Sequence, residues 1–113
     1  MASPKYVPER GDIVWVDFTP QAGHEQAGKR PAIVLSPKIY NHQVGLMLCC
    51  PITTQIKGYP FEVAVKAVDK PGVVLADQIK SLDWRARHAE KAGVAPMAVV
   101  KDVIAKAKAL LTI

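Results

Sequence analysis

The apolar residues of this chain come in runs too short for helices. Residues 13–18, 32–35, 46–52, 61–65 and 72–76 form five such runs, each four to seven residues long. They are rich in Val, Ile, Leu and Phe and end at prolines, glycines or polar clusters such as Pro20, Ser36 with Pro37, and a turn around residues 41–45. Runs of that length and composition read as β-strands. The fourth alternates, with Phe61, Val63 and Val65 on one side and Glu62 and Ala64 on the other. From Pro96 the period changes to that of a helix, and Met97, Val100, Val103, Ile104, Ala107, Leu110 and Leu111 fall on one face. Short strands followed by one amphipathic helix predict an α+β, mainly β chain, a small antiparallel barrel or curled sheet packed on a C-terminal helix. Parallel crossovers are disfavoured because no helix of adequate length separates the first three strands. With 113 residues the chain is expected to form a single domain spanning residues 1–113.

Half of the residues are apolar and 22% are charged, so the chain is expected to fold rather than remain disordered. Fifteen Lys and Arg against ten Asp and Glu give a net charge of +5. That balance favours an anionic partner such as RNA, although it is also common in proteins that bind no nucleic acid. The two cysteines, Cys49 and Cys50, are neighbours inside an apolar run. Neighbours on a strand point to opposite faces, so neither a disulfide nor a zinc site is expected, and the thiols read as buried and reduced. Residues 1–11 carry no signal peptide, and no run approaches the roughly 20 apolar residues of a membrane span. A soluble cytoplasmic protein without a membrane partner is expected.

Standard catalytic motifs are absent: there is no phosphate loop, dinucleotide fingerprint, HExxH or nucleophile elbow. Polar residues collect instead at three strand ends. The first set, in the loop of residues 21–30, holds His24, Glu25, Gln26, Lys29 and Arg30; the second holds Thr53, Thr54, Gln55 and Lys57; the third holds Asp77, Gln78 and Lys80. In a barrel of short strands these ends can gather at one rim. A base, positive donors and a proton source there would suit RNA cleavage by the ribose 2′-OH, chemistry that needs no metal and no cofactor. Each set also has a plain structural reading. Glu25 with Arg30 reads by default as a surface ion pair, Thr53 to Gln55 as a turn, and Asp77 as a turn or cap. Trp15 reads as core, whereas Trp84 stacks on a base or packs at a subunit interface. Arg85, Arg87, Lys57 and Lys80 are expected backbone contacts to single-stranded RNA. Spacing alone leaves the function open.

The stretch GDIVWVDFTPQAGHEQAGKRPAIVLSP, residues 11–37, resembles the opening of MazF/PemK toxins: a strand, a loop carrying G-x-E-Q-x-G-x-R-P, and a second strand. The resemblance continues through CPITTQIKGYPFEV, residues 50–63, and GVVLADQIKSLDWRAR, residues 72–87, and is looser over the terminal helix. It implies an SH3-like barrel of the CcdB/MazF type that forms a homodimer. It further implies sequence-specific, metal-independent cleavage of single-stranded RNA to 2′,3′-cyclic phosphate and 5′-hydroxyl ends, and restraint by an acidic antitoxin. By resemblance Arg30 and Thr53 bind the scissile phosphate, and Glu25 acts as base or substrate contact. A guanidinium with a pKa of about 12.5 or more releases protons slowly, so charge stabilisation suits Arg30 better than proton donation. His24 or a water would then supply the proton. Leu75 stands where some relatives carry a catalytic arginine, which leaves Asp77 a substrate contact or second-line candidate. Gln26, Lys29, Thr54, Gln55 and Gln78 complete the expected RNA contacts. Two rival readings are a CcdB-like toxin that binds gyrase and an RNA-binding barrel without activity.

Overall fold

All five apolar runs form strands, and two more strands lie where the sequence shows little apolar patterning. The computed structural model describes residues 6–19, 23 and 28–112. In chain order the described elements are β1 (Asp12–Asp17), β2 (Lys29–Val34), α1 (Lys38–Val44), β3 (Leu46–Thr53), β4 (Glu62–Ala67), β5 (Lys70–Leu75), β6 (Lys80–Asp83), β7 (Glu90–Val94) and α2 (Met97–Ala109). The strands run in the order β4-β5-β3-β2-β1-β7, with β6 also paired to β3. Every pairing is antiparallel. The result is a curled half-barrel with two helices, as the alternation of short strands and turns requires.

Strand β3 is the hub. Its first residues pair with β6, its middle with β2 and its last two, Ile52 and Thr53, with Val74 and Val73 of β5. It is buried on both sides, so alternate residues feed separate cores. Cys50 and Ile52 join Ile13, Ile33, Leu35, Val63, Val65 and Val74 beneath α2. Met47 and Cys49 join Val14, Val16, Phe18, Ala32, Val34, Leu82 and Trp84 on the opposite face. The adjacent cysteines thus belong to different cores, and both are free thiols. Desolvation pushes each up to about 12.

Helix α2 buries a narrower stripe than its sequence predicts. Val100, Val103 and Ala107 are buried, while Met97, Ile104, Leu110 and Leu111 remain exposed. Gly11 sets the entry to β1 beside this helix. Its φ of +93° is one that residues with a Cβ rarely adopt, and a Cβ there would lie 3.6 Å from Val100. Its N–H donates to the Val34 carbonyl and its carbonyl accepts from Ala95 N–H, both at 2.8 Å, tying β2 and the start of α2 to one residue.

The turn expected at residues 41–45 is the end of helix α1. Seven residues do not hold a helix alone in water, and the tie here is polar. The fully buried Asn41 amide donates to the carbonyls of Pro8 at 2.8 Å and Ser36 at 3.1 Å, and accepts from the Ser36 hydroxyl. The Asn41 carbonyl accepts both the Gly45 N–H at 3.0 Å and the indole N–H of Trp84 at 2.8 Å. Trp84 is therefore a core residue, 4% exposed. This corrects the expectation of a base or interface contact, because its N–H is used internally and its ring lies in the second core. Trp15, expected in the core, is only half-buried: its neighbours Val14 and Val16 take the buried positions and alternation turns it the other way. Among the described residues no helix is long and apolar enough to cross a membrane.

Candidate active site at the parting of two strands

The β2–β3 ladder runs from Val34–Cys49 to Ala32–Pro51. On the far side of that last pair β2 continues against β1, through Pro31, Arg30 and Lys29, while β3 pairs with β5. Pro31 has no N–H to donate, so it suits the point where a ladder ends. A cleft of about 320 Å³ occupies the gap. It is lined by Trp15 of β1, by Lys29, Arg30 and Pro31 of β2, by Ile52, Thr53 and Thr54 at the end of β3, and by Val68, Asp69 and Lys70 of the β4–β5 turn.

Arg30, Thr53, Lys29 and Thr54 thus meet at one cleft, although 23 positions separate Arg30 from Thr53 in sequence. Thr53 is 6% exposed, and its hydroxyl oxygen accepts the Gln55 N–H at 3.1 Å, which leaves the O–H to donate elsewhere. Lys29 makes an exposed ion pair with Glu90 at 3.4 Å. Such a pair holds its lysine weakly. The expectations for His24, Glu25 and Gln26 fall outside the described residues. Either side of that segment the chain is pinned: Phe18 N–H donates to the Gly28 carbonyl at 2.9 Å, and the Arg87 guanidinium donates to the carbonyls of Asp17, at 2.9 Å, and Thr19. One nitrogen of Arg87 is therefore engaged in holding main chain at the end of β1.

The remaining expected residues are not part of the cleft's lining. Lys57 is exposed, and its N–H and that of Gly58 donate to the Glu62 carboxylate at 3.0 and 2.8 Å, which fixes the loop between β3 and β4. Asp77 is exposed and accepts the Tyr59 hydroxyl at 2.6 Å, joining that loop to the turn after β5. Desolvation, with the bond to Asp77 next, raises the Tyr59 pKa above the usual phenol range. Lys80 opens β6 opposite Cys49, Gln78 is half-buried just before it, and the Arg85 guanidinium lies 4.7 Å from the centre of the Trp84 ring on the far surface. Sequence reasoning missed Trp15, Pro31, Ile52, Val68, Asp69 and Lys70 as cleft residues. The period of Val14, Val16 and Phe18 could have turned Trp15 away from their core; nothing local marks the others.

Comparisons with known proteins place the chain and its fold. The family model described as PemK-like, MazF-like toxin of type II toxin-antitoxin system matches residues 9–111. The chain is 60% identical over 93 residues to the endoribonuclease toxin MazF of Escherichia coli K12, covering 81% of this chain and 84% of that protein. It is 39% identical over 109 residues to the endoribonuclease toxin ChpB of the same organism, covering 91% and 93%. Its structure superposes on crystalline MazF from Deinococcus radiodurans with a TM-score of 0.90 at 56% identity, covering 95% of this chain and 98% of that one. It also matches a MazE-MazF complex from that organism with a TM-score of 0.80 at 47% identity, covering 94% and 97%. A gyrase-binding CcdB-like reading finds no support among these matches. Fold and kinship agree, and the chain belongs to the PemK/MazF family of toxins of type II toxin-antitoxin systems.

Proposed function

We propose that this toxin is an endoribonuclease that cuts single-stranded RNA at the cleft between β2 and β3. The observation that carries the reading is the meeting of Arg30 and Thr53 there, with Lys29 and Lys70 beside them, in a chain 60% identical to an endoribonuclease. A ribose 2′-OH bonds to the adjacent phosphorus while the bond to the 5′-oxygen breaks, leaving a 2′,3′-cyclic phosphate and a 5′-hydroxyl. The Arg30 guanidinium stabilises the extra negative charge of the phosphorane and the Thr53 hydroxyl donates to a phosphate oxygen. Glu25 takes the 2′-OH proton; His24 or a water returns one to the leaving oxygen. Asp77, steadied by Tyr59, contacts substrate or serves as second-line base. No step requires a metal ion. The toxin acts in the cytoplasm as a homodimer, and an acidic antitoxin of the MazE kind, drawn by the net charge of +5, displaces RNA.

The purified toxin should cut an unstructured RNA in EDTA, and end mapping should find 5′-hydroxyls. Arg30→Ala should lower the rate by roughly 10²–10³ with little change in the urea midpoint. Strict dependence on Mg²⁺ would sink the metal-free chemistry, and full activity of folded Arg30→Ala would sink the site.

A further inference from the structure

Trp15 has no role in the chemistry above, yet it forms part of the same cleft. We propose that its indole is a platform on which one nucleobase of the bound RNA stacks, next to the phosphate held at Arg30 and Thr53. The proposal rests on the endoribonuclease reading and adds a subsite to it.

Three features of the cleft carry the inference. Trp15 sits mid-strand between two fully buried valines, so the β-strand repeat directs it away from that core, and it is left half-covered. The flanking apolar groups, Pro31 and Ile52, make the cleft suited to a flat ring, while Lys29, Arg30 and Lys70 outnumber the one carboxylate, Asp69, and suit the attached phosphates. At about 320 Å³ the space is at the small end of ligand sites, fitting a nucleotide better than a folded partner.

The β4–β5 turn, which lines the same cleft, adds a fourth. Val68 and Asp69 form the tip of the β4–β5 hairpin between the paired Ala67 and Lys70. Val68 has a φ of +58°, in the left-handed region that turns of this length normally give to glycine or asparagine. A β-branched residue held there is strained, and such strain concentrates at ligand clamps. Here it adds an apolar side chain, 37% exposed, to the lining of the cleft, a second surface for the stacked base.

The test uses a 2′-O-methyl RNA of the cleaved sequence, which binds without being cut. Trp15→Ala should weaken its binding roughly ten- to hundredfold, and Trp15→Phe should restore most of the loss. Replacing the stacked base by an abasic unit should weaken wild-type binding similarly and add little to Trp15→Ala. In wild-type toxin labelled with 5-fluorotryptophan, the RNA should shift the Trp15 fluorine signal and leave that of Trp84 in place. The shift and the abasic series decide the matter even if Trp15→Ala folds poorly. A Trp15 signal indifferent to RNA, or a Trp15→Ala variant weakened only toward an acidic antitoxin peptide, overturns the platform while cleavage in EDTA keeps the nuclease reading. A wild-type toxin that neither binds nor cuts RNA overturns both.

Discussion

The region around Trp84 and the region around Trp15 use one kind of side chain in opposite ways. At Trp84 every polar group is answered from within: the indole N–H meets the Asn41 carbonyl, the Asn41 amide meets Pro8 and Ser36, and the Ser36 hydroxyl accepts the Leu48 N–H at 2.8 Å. At Trp15 the strands part, and threonine, lysine and arginine line a gap instead of closing it. A satisfied buried network specifies one packing. The cleft instead gathers cations and apolar groups around one opening. Stability rests on the first region, and the proposed catalytic site lies in the second.

The largest effect expected from breaking this division is at Trp84→Ala, which empties a core site and should lower stability by about 3–5 kcal/mol in urea unfolding. Its RNA cleavage should fall only as far as the folded fraction does. A loss of cutting by fully folded Trp84→Ala would blur the division. Asn41→Ala removes the amide that ties α1 to Pro8 and Ser36 and should cost about 2–4 kcal/mol, again by urea midpoint.

Alkaline pH should act through the cores rather than the cleft. Cys49 and Cys50 keep their protons in the folded state up to about pH 12, whereas the unfolded chain releases them from about pH 9. The unfolded state then binds fewer protons, so stability is full below about pH 9 and declines as pH rises toward 12. Urea midpoints across that window should fall, and should fall less in Cys49→Ala. The smallest effect is at Lys57→Ala on the exposed loop: stability should stay within about 0.5 kcal/mol. The slope of log affinity for RNA against log salt should shrink by about 0.7 if Lys57 meets one phosphate.

The strands with apolar runs were legible because their side chains enter a core, and α2 because three of its residues do. Helix α1 was not. Its apolar residues Ile39, Tyr40 and Val44 are exposed and its buried residue is an asparagine, the reverse of the pattern that marks an amphipathic helix. Strands β6 and β7 escaped notice for a related reason: Leu82 is the one fully buried residue of the first, and the second has none. The burial of both tryptophans departed from expectation because sequence neighbours are poor guides to tertiary ones. Trp15 sits among valines that face elsewhere, and Trp84 between charges that stay at the surface. Arg30 and Thr53 were named through family resemblance, since the place where β2 and β3 separate is set by long-range register that local spacing does not encode.

The adjacent cysteines offer a consequence of the two-sided sheet. One thiol reports from each side of β3, and a maleimide or similar reagent reaches either only after that side has opened. Labelling rates at the two sulfurs, read separately by mass spectrometry, therefore time the breathing of each half of the molecule with no mutation introduced. Equal rates would mark a toxin that opens as a unit; unequal ones would show which half lets go first.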